Sequence, residues 1–178
     1  MIRLEHFQQD DFAQLINWIY NEEVLTNWAG SIFRYPLSNE SLEWYIRDTN
    51  IVNDSDAFVY KAIDVDGKTV GHISLGGISW SNRSARITRV FTGNASERSK
   101  GCCQGMIKAA LEIAFKELKL HRVSLGVYLN NIPATKCYEK SGFKTEGIQR
   151  DILWYKDTWW SMVEMSMLED EWRTLNNQ

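Results

Sequence analysis

The chain has 178 residues, 44% of them hydrophobic and 24% charged, with a formal net charge of −3. That length fits one domain, residues 1–178, which can bury roughly 70% of its unfolded surface and needs no metal to hold a core. An acidic total without an aromatic-basic patch disfavours nucleic acid, no apolar run nears the ~20 residues of a membrane span, and the opening MIRLEHFQQDDF lacks a secretory core, so a cytoplasmic protein is expected.

Residues 2–4 (IRL) predict a short first strand, and Asp10-Asp11 ahead of Phe12, Leu15, Ile16 and Ile19 predicts a capped helix. Residues 21–35 (NEEVLTNWAGSIFRY) show turn residues and no clean period, and Pro36 ends them. Ser38-Asn39-Glu40-Ser41 then offers cap chemistry for a helix carrying Leu42, Trp44, Tyr45 and Ile46. Residues 57–64 predict a strand, Asp66-Gly67 a hairpin turn, and residues 69–78 the returning strand. His72 lies in that strand, where a lone histidine is more often packed than catalytic.

Residues 84–118 organise the chain. A β-type run ending at Thr92 feeds a polar loop closed by RSKGCCQG (residues 98–105), and a helix follows with Ile107, Leu111, Ala114, Phe115 and Leu118 on its apolar face. The first turn of a helix has N–H groups without intrahelical partners and carries partial positive charge, so phosphate oxygens are favoured there. Gly101 and Gly105 present no Cβ to an approaching anion, and Arg98 and Lys100 add full charges. The loop has neither G-x-x-x-x-G-K-[ST] nor G-x-G-x-x-G with its distant acid, which disfavours the two nucleotide-binding loop types.

The spacing Arg98-x-x-Gly101-x-Cys103 resembles the Q/R-x-x-G-x-G/A signature of the GNAT acetyltransferases, with Cys103 where the family usually has Gly or Ala. Residues 120–151 resemble the family's second half, a strand followed by N-x-x-A-x-x-x-Y-E-K-x-G-F, here Asn131, Ala134, Tyr138, Glu139, Lys140, Gly142 and Phe143. The nearest resemblance is to the branch that acetylates ribosomal-protein N-termini, polyamines and other small amines. It implies an α/β fold of the α+β kind, a mixed, mostly antiparallel sheet of six to seven strands flanked by helices. It also implies acetyl-coenzyme A as co-substrate, with no metal. The strands at residues 85–92 and 123–129 are expected to splay apart, with pantetheine beside Val90 and Phe91 and the pyrophosphate on Arg98, Ser99, Lys100, Gly101, Cys102, Cys103, Gln104 and Gly105.

Within the same resemblance, Tyr138 is the expected acid for the departing thiolate, and Asn131 contacts cofactor or water. The acceptor is a primary amine, on a small cationic molecule or a protein N-terminus, attacking directly in a ternary complex. The rival is a non-catalytic acyl-coenzyme A module, and a second copy of the chain is a candidate partner. Trp28, Phe33 and Tyr35 are candidate pocket linings. The strand before the phosphate loop carries no carboxylate, leaving Glu22, Glu23, His72 or water as the base.

Pro133 and Gly142 bracket a helix, and residues 148–154 and 159–168 predict two strands before a short terminal helix. Trp154, Trp159 and Trp160 are candidates to cap the acceptor site. Cys102, Cys103 and Cys137 are odd in number and two are adjacent, a poor disulfide framework, so Cys137 reads as a buried thiol. Lys plus Arg against Asp plus Glu is 3 to 10 over residues 1–60 and 13 to 5 over residues 81–150. The second segment suits a polyanionic cofactor, and the first a cationic acceptor.

Overall fold

The structure, a computed structural model, describes residues 1–93 and 101–176. Its centre is a seven-stranded sheet of β1 (Arg3–His6), β2 (Phe58–Ile63), β3 (Thr69–Ser79), β4 (Ser84–Thr92), β5 (Arg122–Tyr128), β6 (Lys144–Tyr155) and β7 (Thr158–Leu168), in the order β1-β2-β3-β4-β5-β7-β6. Every pairing is antiparallel except β4 with β5. The mixed, mostly antiparallel sheet is as expected. The Asp66-Gly67 turn joins β2 to β3, with Asp64 Oδ1 accepting from the N–H groups of Asp66 and Lys68 at 2.9 Å each.

Among the described residues six α-helices flank the sheet: α1 (Phe12–Trp18), α2 (Glu22–Ala29), α3 (Asn39–Ile46), α4 (Cys102–Glu112), α5 (Ile132–Lys140) and α6 (Glu169–Asn176). α4 runs on through a π turn, Ile113–Glu117. The segment read as irregular, residues 21–35, contains α2. Its start is a side-chain cap, Asn21 Oδ1 accepting from the Val24 N–H at 2.8 Å, with Glu22 and Glu23 in the favourable first turn. α3 begins as expected, on a Ser38 hydroxyl that accepts from the Ser41 N–H.

Around β2 both faces of the sheet are covered, with alternate strand residues entering opposite cores, while the edge strand β6 is largely exposed. Phe58, Tyr60 and Ala62 of β2 bury with Met106, Ile107, Ala110 and Phe115 beneath α4, while Val59 buries with Leu15, Leu25 and Leu42 of the first three helices. β4 is thereby sandwiched in mid-sheet, where helices from both layers can reach it.

The expectation of unpaired cysteines is corrected: Cys103 and Cys137 form a disulfide joining α4 to α5, with Cα atoms 6.5 Å apart. Adjacent cysteines seemed an obstacle, yet helical neighbours point about 100° apart. Cys102 therefore turns into the core, its Sγ 3.7 Å from the Val70 carbonyl, and Cys103 faces α5.

Candidate active site

Parallel pairing of β4 with β5 lasts four residues, from Ser84 opposite Arg122 to Ile87 opposite Leu125. Beyond it β5 stays with β7 as far as Tyr128 opposite Met162, while β4 bends away. The bend is a β-bulge: Thr88 faces Ser74 and Phe91 faces His72, leaving Arg89 and Val90 together against Ile73. Bulges re-aim side chains and interrupt pairing. Arg89 takes a φ of +52°, and its carbonyl accepts from Trp28 Nε1 of α2 at 2.9 Å, so the helix missed in the sequence fastens the bulge.

Two cavities open in the resulting wedge, one of about 550 Å³ and one of about 330 Å³, and Asn27, Trp28, Val90, Asn131 and Tyr138 line both. The larger runs past Phe91 and Thr92 to Gly101, Cys103 and Gln104 at the N-terminus of α4, with Lys136 and Lys140 on its far wall. Gly101 caps that helix with φ +71°, a left-handed conformation that glycine adopts without strain. An open strand edge, a helix N-terminus and two lysines together fit an extended amide-bearing chain ending in phosphates.

The expected cofactor residues divide. Val90, Phe91, Gly101, Cys103, Gln104, Asn131 and Tyr138 line the larger cavity. Cys102 does not, since its side chain is buried in the core. Gly105 does not either: it lies inside α4, and a Cβ there would collide with Ile2, so this glycine serves helix-to-strand packing rather than anion approach. Arg98, Ser99 and Lys100 fall outside the described residues.

Asn131 caps α5, its Oδ1 accepting from the Ala134 N–H at 3.3 Å, with Pro133 in the first turn. The cap fixes the helix that carries Tyr138. Tyr138 is buried, and burial pushes its hydroxyl well above the ordinary tyrosine range, so it stays protonated.

The smaller cavity is bounded by the end of α2 and the turn after it, Asn27 to Ile32, by Arg86 to Val90, by Gly126 to Tyr128 and by Met162. No Asp or Glu side chain lines either cavity among the described residues. Arg86 is neutralised by Glu164, donating from Nη1 and Nη2 to its two carboxylate oxygens at 2.7 and 2.8 Å. Gly126 makes room for that pair, since a Cβ there would run into Arg86 Nη2 and Met162 Sδ.

Several suggested residues stand elsewhere. Glu22 and Glu23 are exposed on α2 and line neither cavity. His72 is buried, hydrogen-bonded through Nε2 to the Tyr45 hydroxyl at 3.1 Å, and lines neither. Burial, helped by the Arg89 charge, lowers its pKa to about 3, which leaves it neutral and a very weak base at physiological pH. Phe33 is core, stacked on Trp28. Tyr35 is exposed and donates to the Tyr20 carbonyl. Trp154 and Trp159 pack on each other at the exposed β6–β7 end, and Trp160 packs on Tyr128, so none of the three caps a cavity.

The sequence reading missed Arg89, Asn27 and the Arg86–Glu164 pair. A positive-φ residue in a bulge leaves no local signal, and the ion pair joins residues 78 apart in the chain.

Comparison with known proteins agrees with this geometry. Residues 4–163 match the family model described as the acetyltransferase (GNAT) domain. The aminoglycoside N(6')-acetyltransferase type 1 of Klebsiella pneumoniae is 24% identical over 155 residues, covering 82% of this chain and 75% of that protein. The spermidine N(1)-acetyltransferase of Vibrio cholerae is 25% identical over 146 residues, covering 82% and 80%. The crystal structure of spermidine N-acetyltransferase from Vibrio cholerae in complex with CoA and spermine superposes with a TM-score of 0.82 at 22% identity, covering 97% of this chain and 98% of that one. The non-catalytic alternative finds no support among these relatives. With a family match over nearly its whole length and a cleft shaped for an acyl carrier beside a second pocket, this chain belongs to the GNAT acetyltransferases and is an acetyl-coenzyme A-dependent N-acetyltransferase.

Proposed function

We propose that the larger cavity holds the pantetheine arm and phosphates of acetyl-coenzyme A, that the smaller holds a primary amine of a small molecule, and that transfer occurs directly where the two meet. The observation that carries this reading is the shared wall of Val90, Asn131 and Tyr138. Acetyl-coenzyme A supplies an activated acyl carbon with a thiolate leaving group.

The chain's own residues then have separable tasks. The bulge at Arg89 and Val90 turns the free edge of β4 toward the cleft, where a backbone N–H of Val90 or Phe91 can hold the carbonyl oxygen as negative charge develops. Tyr138 delivers its hydroxyl proton to the departing sulfur as the new C–N bond forms and the C–S bond breaks, and it recovers a proton from solvent. Asn131 holds the first turn of the helix that presents Tyr138. Because no carboxylate or imidazole lines the amine's cavity among the described residues, water removes the ammonium proton.

The relatives that act on aminoglycosides and spermidine support a small-molecule amine ahead of a protein N-terminus, and the co-substrate supports action in the cytoplasm. Titration calorimetry with acetyl-coenzyme A, followed by thiol-release assays over a panel of primary amines, tests the reading. Saturable binding together with amine-dependent thiol release is expected. Binding without release on any amine would overturn it.

A further inference from the structure

Charge in the smaller cavity is distributed in a way that the transfer chemistry does not require. Two arginines line it and no carboxylate does, among the described residues. Arg86 is satisfied by Glu164. Arg89 pairs with no carboxylate among the described residues. Its Nη1 donates to Thr88 Oγ1 at 3.2 Å, and its guanidinium carbon lies 4.7 Å from the Tyr45 ring centroid and 6.0 Å from that of Phe33. Its Nε is buried and has no hydrogen-bond partner, and Nδ1 of the nearby His72 is in the same condition.

Arg89 as a whole is half-buried, but its unpaired Nε is out of reach of water, and a polar group buried without a partner is costly, so a ligand group arriving in the cavity would find the guanidinium without a counter-ion. The role of spacer does not explain it. The bulge is already fastened through the Arg89 carbonyl by Trp28, which any residue at position 89 would allow. Stacking on Tyr45 does not explain it either, since an apolar side chain would cover the ring without leaving Nε unpaired. What the planar guanidinium adds is a fork that matches a carboxylate. The acidic groups of residues 1–60 do not counter this charge, since none of them lines the cavity.

We propose that Arg89 determines acceptor specificity and that the acceptor is an amine that also carries a carboxylate, which Arg89 binds inside the smaller cavity. The inference rests on that cavity being the acceptor site. Arg89 orients the amine by its acidic end, while the wall shared with the larger cavity receives the nucleophilic end.

The test compares matched pairs that differ only in the carboxylate, such as phenylalanine with phenethylamine and β-alanine with ethylamine, and includes spermidine. Within at least one pair the carboxylated member should show kcat/KM at least about tenfold higher. Arg89→Gln should collapse that preference, mainly through KM, and Arg89→Lys should keep part of it because the charge and most of the side-chain volume remain. Equal use of both members of every pair, or a preference that survives Arg89→Gln, overturns the proposal and leaves the transferase reading standing. Acetylation of spermidine with no turnover on any paired amine overturns the proposal alone, whereas coenzyme A binding with no release on any amine, spermidine included, overturns both.

Discussion

His72 shows how burial decides what a titratable residue can do. Its ring neighbours include Tyr45, Phe7 and Trp28; Lys61 opposite it on β2 is paired with Asp11, and the positive Arg89 adds to burial in disfavouring the imidazolium. The folded state therefore favours neutral imidazole, with a pKa near 3 against an ordinary 6.5. A histidine depressed in this way binds fewer protons folded than unfolded, so its contribution to stability is complete above pH 6.5 and is lost as the pH falls from 6.5 toward 3. Thermal melts should show the midpoint dropping through that window, and His72→Phe should flatten the drop. An equally steep curve in the variant would assign the acid sensitivity to other groups. Position alone made His72 a candidate base in the sequence, but its burial depends on helices that pack over β3 from far along the chain, which inspection of residues 69–78 cannot show.

The elements were legible where one local signal sufficed. The hairpin at Asp66-Gly67, the cap at Ser38 and the helix after Pro133 all appear where their turn and cap residues predict. α2 escaped because its eight residues bury Leu25, Thr26, Trp28 and Ala29 without a long period, although Asn21 followed by two glutamates was a readable cap. The Cys103–Cys137 link was illegible for a different reason: it depends on the angular phase of α4 against α5 and closes a sequence separation of 34 residues. Loop-closure entropy for a ring of that size corresponds to about 3–4 kcal/mol. Treatment with a reductant should thus lower the melting temperature of the oxidised protein, and Cys137→Ser should melt low with or without reductant. An oxidised protein whose melting is indifferent to reductant would show that the link carries no stability.

At the scale of the whole molecule, the order of the strands positions the chemistry. Parallel pairing confined to β4 and β5 means that the two strands diverge once β5 commits to β7, and the cleft is the consequence of that divergence. The family motifs around Gly101 and Tyr138 pointed to this arrangement, and the two stretches do converge on one cavity. The charge reading transferred less well. Residues 1–60 are strongly acidic, yet Glu22 and Glu23 are exposed and the smaller cavity is lined by arginines instead. Net charge along a segment says nothing about which face of a helix carries it, and only the packing of α2 against β4 decides that.

Comparing Tyr138→Phe with the parent enzyme tests most directly whether chemistry takes place on the wall shared by the two cavities. The substitution keeps the buried ring and removes only the hydroxyl, so the cleft should survive. Loss of a positioned proton donor predicts a kcat lower by roughly 10²- to 10⁴-fold with little change in the dissociation constant for acetyl-coenzyme A. Undiminished turnover in the variant would contradict the assignment of Tyr138 as the acid and move the reacting centre away from that wall.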